Sequence, residues 1–246
     1  MSEATYPPLD VLKPVAEGVW IVDSGPLRVL GLPLPVRMTV IRLGDGTLWL
    51  HTPTRYEAGL HRAIAALGPI RHLVAPNIAH WTFVKAWQSH CPEALTWAAP
   101  NLRERGPVRR SGLRIDRVLT DTAAPGWASD LRQIVVPGGL GFREVAFFHG
   151  RSRTLVLTDL VVNLEPAKMP ALLRPLLRLA GMTAPHGQPP PYLRFVIKLQ
   201  QREAARAAAD IVAREPTIVI FAHGLWFARD GTDRLRRSLR WLGDFS

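Results

Sequence analysis

Three polar residues stand just beyond apolar segments of the kind that form buried β-strands: His80, Asp159 and His223. Loops at strand ends are where a rigid scaffold displays functional groups. Two imidazoles and one carboxylate suit Zn, Fe or Mn, and three protein ligands leave a coordination position open for water. Water held there becomes a nucleophile near neutral pH. The residue types therefore indicate an open site for one divalent metal, with Asp159 as both ligand and catalytic carboxylate.

Each of these residues also has a purely structural interpretation. His80 can cap the helix that follows it, Asp159 can accept hydrogen bonds from turn amides, and His223 can be a buried histidine with satisfied hydrogen bonds. Asn77 is a further catalytic candidate, because its amide could orient a substrate or a water. It also follows a proline, where an asparagine often stabilises a turn. Both interpretations stay open at this level.

Other kinds of catalytic site find little support. The single cysteine, Cys91, excludes an intramolecular disulfide and a multi-cysteine zinc site. The chain has no Gly-x-Ser-x-Gly motif, no phosphate-binding loop and no dinucleotide fingerprint. Glu144 and His149 share one predicted strand on opposite faces, so we expect them to act separately, outside the site and at the surface. His51 is expected to be a hydrogen-bonded core residue.

The composition predicts a globular protein with a basic surface. The chain has 246 residues, 47% of them apolar and 21% charged, with a net charge of +11. The apolar fraction excludes wholesale disorder, and the length is sufficient for one large domain. The densest basic stretch, residues 103–117, has no aromatic residues between its arginines, so nucleic-acid binding is not expected. We find neither a transmembrane stretch nor a secretory leader, and expect a cytoplasmic protein whose oligomeric state the sequence leaves open.

The elements that must position the candidate residues alternate between short strands and amphipathic helices. Asp45-Gly46 predicts a hairpin between two early strands. Strands are predicted at 18–23, 37–42, 47–51, 70–74, 131–136, 144–149, 154–160 and 217–221, and helices from about 56 to 67 and at 81–90, 171–179, 202–214 and 232–242. This order favours an α/β sandwich.

One proline-rich segment departs from this texture. We expect residues from about 164 to 200 to form a cap or lid inserted into a single domain that spans 1–246. The cap would determine which substrate the site accepts. Its stretch LLRPLLRLAG (172–181) is the best candidate for contact with a membrane surface, although it is short and interrupted by Pro175.

Four motifs in this chain resemble those of the metallo-β-lactamase superfamily. They are VAEGVWIVDSG (15–25), VAPNIAHWTFVKAW (74–87), VAFFHGRSRTLVLTDLV (145–161) and IVIFAHG (218–224). The likeness runs from about Leu12 to Leu242 and is closest to a branch known as a domain of unknown function. It implies an αββα sandwich of two mixed sheets with outer helices and a site at one edge, between the sheets.

The resemblance carries over to the metal-binding positions only in part. The superfamily's first metal would need ligands at the positions of Ala75, Asn77 and Gly139, where this chain has no imidazole. The second would use the positions of Ala79, His80, Asp159 and His223, so two histidines and the carboxylate remain. The resemblance therefore implies a degenerate site that could hold one divalent metal, and argues against a dinuclear hydrolase.

Two functions are compatible with these residues. The first is a single-metal hydrolase of a small ester, thioester or phosphoester, in which Arg151 or Arg153 near the mouth attracts an anionic substrate. The second is a non-catalytic relative that binds an acidic partner or a membrane surface. Metal content is the observation that separates them.

Overall fold

The described part of the chain, residues 4–29 and 31–245 of this computed structural model, forms β-sheets with helices on their outer faces. The strands are β1 (Lys13–Ala16), β2 (Val19–Val29), β3 (Leu32–Arg42), β4 (Leu48–His51), β5 (Ile70–Ala75), β6 (Leu95–Ala98), β7 (Arg117–Val118), β8 (Leu131–Pro137), β9 (Arg143–His149), β10 (Thr154–Val156), β11 (Val162–Asn163), β12 (Ile218–Ile220) and β13 (His223–Gly224). The helices are α1 (Ala58–Ala65), α2 (Val84–His90), α3 (Gly106–Ser111), α4 (Arg174–Leu179), α5 (Pro191–Lys198), α6 (Gln201–Val212) and α7 (Gly231–Leu239).

Both main sheets are mixed, as predicted. The larger one has the order β1-β2-β3-β4-β5-β6-β7, antiparallel from β1 to β4 and parallel from β4 to β7. The smaller one has the order β12-β10-β9-β8, and only its β10–β12 pair is parallel. A short parallel pair, β11–β13, aligns Val162 with His223, directly before the segment that begins at residue 164.

The alternation of side chains along each strand builds the layers. In β4, Trp49 faces the second sheet and packs against Trp127 and Phe147, whereas Leu48 and Leu50 face the helices. Because both faces of β4 are buried, all four of its residues are buried. The inter-sheet core therefore lies between two further apolar layers.

The outer helices bury one apolar face each. Leu60 and Ile64 of α1 pack on the larger sheet beside Val84 and Trp87 of α2. On the other side, the alanine-rich helix α6 buries Ala204, Ala207, Ala208 and Ile211 against the smaller sheet, at the i, i+3, i+4 and i+7 spacing of one helical face. The resulting order of layers is helix, sheet, sheet, helix.

Several element boundaries differ from those predicted. Strands β2 and β3 extend beyond their predicted ends into a long hairpin, because their register continues to the pair Val29 and Leu32. Strand β10 ends at Val156 rather than at residue 160, which frees the loop that carries Asp159. Helix α2 begins only at Val84. Helix α5 was not predicted, since Pro191 lies at its first position, where proline is compatible with a helix start.

The segment from 164 to 200 contains two 3₁₀ turns (Pro166–Lys168 and Ala171–Leu173) followed by α4 and α5. Leu177 and Met182 pack against Val162 and Leu164, so the segment has a small apolar core of its own. Its role as the cap of one domain spanning 1–246 stays a prediction. Among the described residues, no helix combines the length and apolar character needed to cross a bilayer.

Candidate functional site

His80, Asp159 and His223 meet at one edge of the sheets, as predicted. The Nε2 atom of His80 lies 3.2 Å from Oδ1 of Asp159, and Nε2 of His223 lies 3.3 Å from that same oxygen. The two Nε2 atoms are 3.3 Å apart. Throughout residues 4–29 and 31–245, no other group of three or more His, Cys, Asp or Glu side chains converges in this way. We refer to these three residues as the triad.

A backbone carbonyl fixes the orientation of the His223 ring. Its Nδ1 lies 2.7 Å from the carbonyl oxygen of Pro35, and because a carbonyl only accepts, Nδ1–H is the donor. In the neutral imidazole this leaves the lone pair on Nε2, which points at Asp159 and His80. A hydrogen bond on the outer ring nitrogen is the usual support of a metal-binding histidine.

A buried arginine holds the loop that carries His223. The guanidinium of Arg37 donates to the carbonyl oxygens of Phe221 and Gly224, both at 2.9 Å, and pairs with Asp23 at 2.6 Å. Gly224 has a φ of 96°, and a Cβ there would come within 2.2 Å of the Asn163 carbonyl oxygen. The Ala-His-Gly turn therefore depends on this glycine and on Arg37, which lies on β3 of the larger sheet.

Asn77 ties His80 and Asp159 together. Its Oδ1 accepts hydrogen bonds from the backbone N–H groups of Ala79 at 2.9 Å and His80 at 3.0 Å. Its Nδ2 donates to Oδ2 of Asp159 at 2.7 Å. The residue is fully buried, and both ends of its amide are occupied by protein partners. Asn77 thus stabilises the turn before His80 and holds Asp159 in place, and a catalytic role for it stays a prediction.

Glu144 supports the Asp159 loop from beneath. Its carboxylate accepts N–H hydrogen bonds from Thr158 at 2.8 Å, Asp159 at 2.8 Å and Leu160 at 3.3 Å. Burial, together with the charge of Asp159, raises the pKa of Glu144 to about 7, against the opposing effect of those N–H donors. Three adjacent backbone amides thus share one carboxyl group.

The expectation that Glu144 and His149 lie at the surface is wrong, since both are buried. Their separation along β9 stands: His149 is paired through Nδ1 with Ser152 Oγ at 2.7 Å, at the opposite end of the strand from Glu144. The smaller sheet is covered on both faces, so a charged residue inside its apolar strand is buried rather than solvated. The glutamate within the apolar stretch REVAFFH was the feature of the sequence that could have indicated its burial.

Electrostatics favour a positive charge at the centre of the triad. Burial opposes the ionisation of Asp159, but His80 and His223 outweigh it and hold the pKa of that carboxyl well below its usual range. Burial likewise opposes protonation of His223, yet the hydrogen bond and charge of Asp159 raise its pKa. The Nε2 lone pair of a neutral His223 faces an ionised carboxylate, an arrangement that a proton or a metal ion stabilises.

The positions of the superfamily's other metal carry no ligands. Ala75 has no donor atom, Asn77 is engaged as described, and Gly139 lies beneath Leu199. A Cβ on Gly139 would stand 2.5 Å from Leu199 Cδ1, so the end of α5 fills the space that a longer side chain would need. The residues present do not fit a second ion.

Two further sequence expectations have clear outcomes. His51 is buried next to the site with Nδ1 3.2 Å from Thr52 Oγ1, as expected of a core histidine. Burial, with a smaller contribution from His80, lowers its pKa to about 3. Arg151 and Arg153 do not lie at the mouth as expected. Arg151 pairs with Glu17 at 3.4 Å and Arg153 pairs with Glu215 at 3.2 Å, because the β9–β10 turn carries both arginines away from the site.

A cavity of about 160 Å³ opens beside the triad. The β2–β3 hairpin, the loop after His80 and the start of α5 form its walls, and Tyr192 stands at its rim. Burial and the charge of Asp159 raise the pKa of Tyr192, so its hydroxyl remains a hydrogen-bond donor at neutral pH. Apart from the predicted cap, no feature of the sequence pointed to this cavity.

Comparison with solved structures shows the same fold. A metallo-β-lactamase from Pontibacter korlensis is 16% identical, with a TM-score of 0.59 over 94% of this chain and 97% of that one. One from Hirschia baltica is also 16% identical, with a TM-score of 0.61 over the same shares. The enzyme FIM-1 from Pseudomonas aeruginosa in its mono-zinc form is 14% identical, with a TM-score of 0.61 over 98% of this chain and 96% of that one.

The sequence comparisons give the family. No curated protein matches the chain by sequence. Residues 16–208 match the family described as Domain of unknown function (DUF4336). That range holds His80, Asp159 and the supporting residues Asn77 and Glu144, whereas His223 lies beyond it. Since the match spans most of the chain, this protein belongs to the DUF4336 family, and it has the metallo-β-lactamase fold.

Proposed function

We propose that the protein is a hydrolase that uses one divalent metal ion held by His80, Asp159 and His223. The observation that carries the proposal is the spacing of the three ligand atoms, 3.2, 3.3 and 3.3 Å. Two atoms bonded to one tetrahedral Zn²⁺ at about 2.0–2.1 Å lie about 3.3 Å apart. The donor atoms are therefore spaced as three corners of such a tetrahedron, with the fourth corner left to water or substrate.

A divalent metal bound there would supply Lewis-acid chemistry, polarising a substrate carbonyl and making water a nucleophile near neutral pH. The protein's own residues do the rest. His80 and His223 offer Nε2 lone pairs, and Asp159 offers Oδ1. Asn77 holds the other carboxylate oxygen, so that Asp159 cannot rotate away. The apolar walls of the cavity limit the contact of the triad with solvent, which strengthens electrostatic interactions at the site.

The residues support one ion rather than two. With ligands absent at Ala75, Asn77 and Gly139, nothing stabilises the second end of a displacement as a two-metal clamp does. The proposed enzyme is therefore expected to be slower than a dinuclear relative and to depend on a single equivalent of metal. Metal binding requires deprotonated imidazoles, so it is expected to weaken as the pH falls through the histidine range.

Metal stoichiometry tests this proposal directly. The purified protein is analysed for metal before and after incubation with Zn²⁺, Mn²⁺ or Fe²⁺, and each form is assayed against thioester, lactone and phosphodiester substrates. We expect one equivalent of metal and hydrolysis that a chelator abolishes and added metal restores. Absence of metal after all three incubations would overturn the proposal.

A second candidate function, contact with an anionic membrane surface, is favoured by the cap segment. Leu172 in the second 3₁₀ turn and Leu179 at the end of α4 are 92% and 87% exposed, and Leu176 of α4 is also exposed. The exposed cations Arg178 and Lys198 lie on α4 and α5. Leucines beside basic residues match a bilayer surface that is apolar at depth and anionic at the headgroups.

Vesicle sedimentation tests this second candidate. We expect the protein to sediment with phosphatidylcholine vesicles that contain phosphatidylglycerol, less so at high salt, and not with phosphatidylcholine alone. The double variant Leu172→Glu/Leu179→Glu is expected to lose binding, while Val118→Glu, on the edge strand β7, keeps it. Equal sedimentation of both variants would contradict a specific role of the cap.

A further inference from the structure

The cavity beside the triad is lined mainly by apolar side chains. Its walls include Leu27, Val29 and Leu34 of the β2–β3 hairpin, Trp81 from the loop after His80, and Met182 and Leu193 from the cap segment. None of the described residues that line it is a lysine or an arginine, although the chain has a net charge of +11. Its polar lining consists of the triad and four hydroxyl side chains.

This lining offers no cationic side chain to an anionic substrate. Phosphate and carboxylate groups are recognised by arginine, lysine or clusters of backbone N–H groups. The buried guanidinium of Arg37 donates to two carbonyl oxygens and pairs with Asp23, and Arg37 does not line the cavity. The lining therefore favours a substrate whose bulk is neutral and apolar.

The size of the cavity limits that apolar group. An apolar cavity of about 150 Å³ in another protein stays dry and binds benzene. The present cavity, at about 160 Å³, has room for a group of comparable size. The rim of the cavity is formed in part by Val29, which is 42% exposed, and by the exposed side chains of Leu27 and Tyr192. A longer chain would continue across these exposed apolar side chains.

We propose that the cavity binds the acyl or aryl group of a neutral ester or thioester, with about six carbon atoms inside and longer chains extending over the rim. This inference names the substrate class of the hydrolase proposed above and rests on that proposal for its chemistry. In the reaction, the oxygen of water bonds to the acyl carbon and the C–O or C–S bond breaks. The products are a carboxylic acid and an alcohol or thiol, so no oxidant or reductant is needed.

Binding of non-hydrolysable analogues tests the cavity without depending on catalysis. The full chain is treated with a chelator, and its affinity for straight-chain N-methyl amides from acetamide to decanamide is measured by calorimetry. Each methylene that enters the cavity is expected to tighten binding about fourfold, because burying one CH₂ stabilises by about 0.8 kcal/mol. The gain per methylene is expected to fall beyond about six carbons, where the chain reaches the half-exposed rim.

A matched pair of variants locates the binding site. Val29→Glu places a charge at the rim, whereas Val118→Glu makes the same change on β7 at a valine of similar exposure, 47%. Both positions are exposed, so both variants are expected to fold, which thermal unfolding checks. We expect Val29→Glu to weaken decanamide binding at least about tenfold, as the loss of two buried methylenes would, and Val118→Glu to leave it unchanged.

The outcomes separate this inference from the proposed function. Three results would each overturn the proposal that the cavity binds an apolar acyl or aryl group. They are affinities that do not depend on chain length, tighter binding of hexyl phosphate than of the hexanoyl amide, and equal effects of the two variants. If the protein binds the amides as expected but takes up no metal, the proposal for the cavity stands and the proposal of a metal-dependent hydrolase is overturned. A protein that takes up metal and hydrolyses only phosphodiesters would retain a metal enzyme and overturn the substrate class.

Discussion

The amide nitrogen of Asn77 lies 2.7 Å from Oδ2 of Asp159, while Oδ1 of that carboxylate faces His80 and His223. Here the N–H donor of Asn77 reaches the carboxylate oxygen that the two histidines leave free. A hydrogen bond thus satisfies the second carboxylate oxygen, which keeps the carboxylate oriented toward the one remaining metal position.

Asn77→Ala is expected to weaken metal binding by about 10- to 100-fold, as is typical for loss of a residue that orients a ligand. It also removes the acceptor of two backbone N–H groups, which costs about 1–3 kcal/mol of unfolding free energy. Metal competition with a chelator and urea unfolding measure the two effects. Asn101→Gly, which removes an exposed amide at a φ of 68°, is the control and is expected to bind metal normally.

His223→Ala is expected to abolish metal binding, because two ligands cannot hold the ion tightly. His149→Ala is the matched control, since His149 is also buried but bonds to Ser152 far from the triad. Metal stoichiometry of both purified variants is the measurement. Full retention of metal by His223→Ala, or its loss from His149→Ala alone, would contradict the proposed ligands.

Glu144→Gln is expected to destabilise the protein by about 2–3 kcal/mol. Each carboxylate oxygen of Glu144 accepts at least one backbone N–H, so the glutamine NH₂ must face a donor. The strained loop is the one that carries Asp159, and metal affinity should fall with stability. Urea unfolding and chelator competition measure both. Unchanged stability would show that the loop does not need the second acceptor oxygen.

Arg37→Met is expected to cost about 3–5 kcal/mol of unfolding free energy, because it leaves buried polar partners without a donor. Lys13 still pairs with Asp23 at 2.8 Å, which favours the lower end of that range. Arg151→Met removes an exposed pair with Glu17 and is expected to cost less than about 1 kcal/mol. Thermal unfolding compares the two variants. Equal effects would contradict the role assigned to the buried arginine.

His51 is expected to stay neutral in the folded protein down to about pH 3, because burial lowers its pKa from 6.5 to about 3. The unfolded chain therefore binds a proton that the folded chain does not as the pH falls below 6.5. Stability is lost over that window by up to about 1.4 kcal/mol per pH unit. The His51 ring signals in NMR should show no titration between pH 8 and about pH 5.

Stability measurements need a variant that removes only the His51 contribution. Glu144, whose pKa is raised to about 7, contributes in the opposite direction, since its protonation on going below pH 7 favours the folded state. Comparing the pH dependence of the unmodified protein with that of His51→Phe isolates the histidine. The variant should lose less stability on acidification, and an identical profile would contradict a neutral buried His51.

Local features of the sequence, together with the family resemblance, predicted the three residues of the triad and the fold. The apolar runs before His80, Asp159 and His223 predicted strands with polar residues at their ends, and the tertiary structure brings those ends together. The two mixed sheets with outer helices were also expected, from the strand and helix order and the family resemblance. These features are encoded over a few neighbouring residues, where side-chain period and turn chemistry govern the backbone.

The support of the site was decided only by the tertiary structure. Arg37 holds a loop 184 residues further along the chain, and Glu144 accepts hydrogen bonds from amides 14 to 16 residues away across a sheet. Leu199 closes the position of Gly139 through the packing of α5. The cavity arises where a hairpin and the cap segment meet. Such contacts depend on which surfaces the packed layers bury together. The burial of a charged side chain such as Glu144 requires both the carboxylate and the N–H groups that bond to it, and no local stretch of sequence contains both.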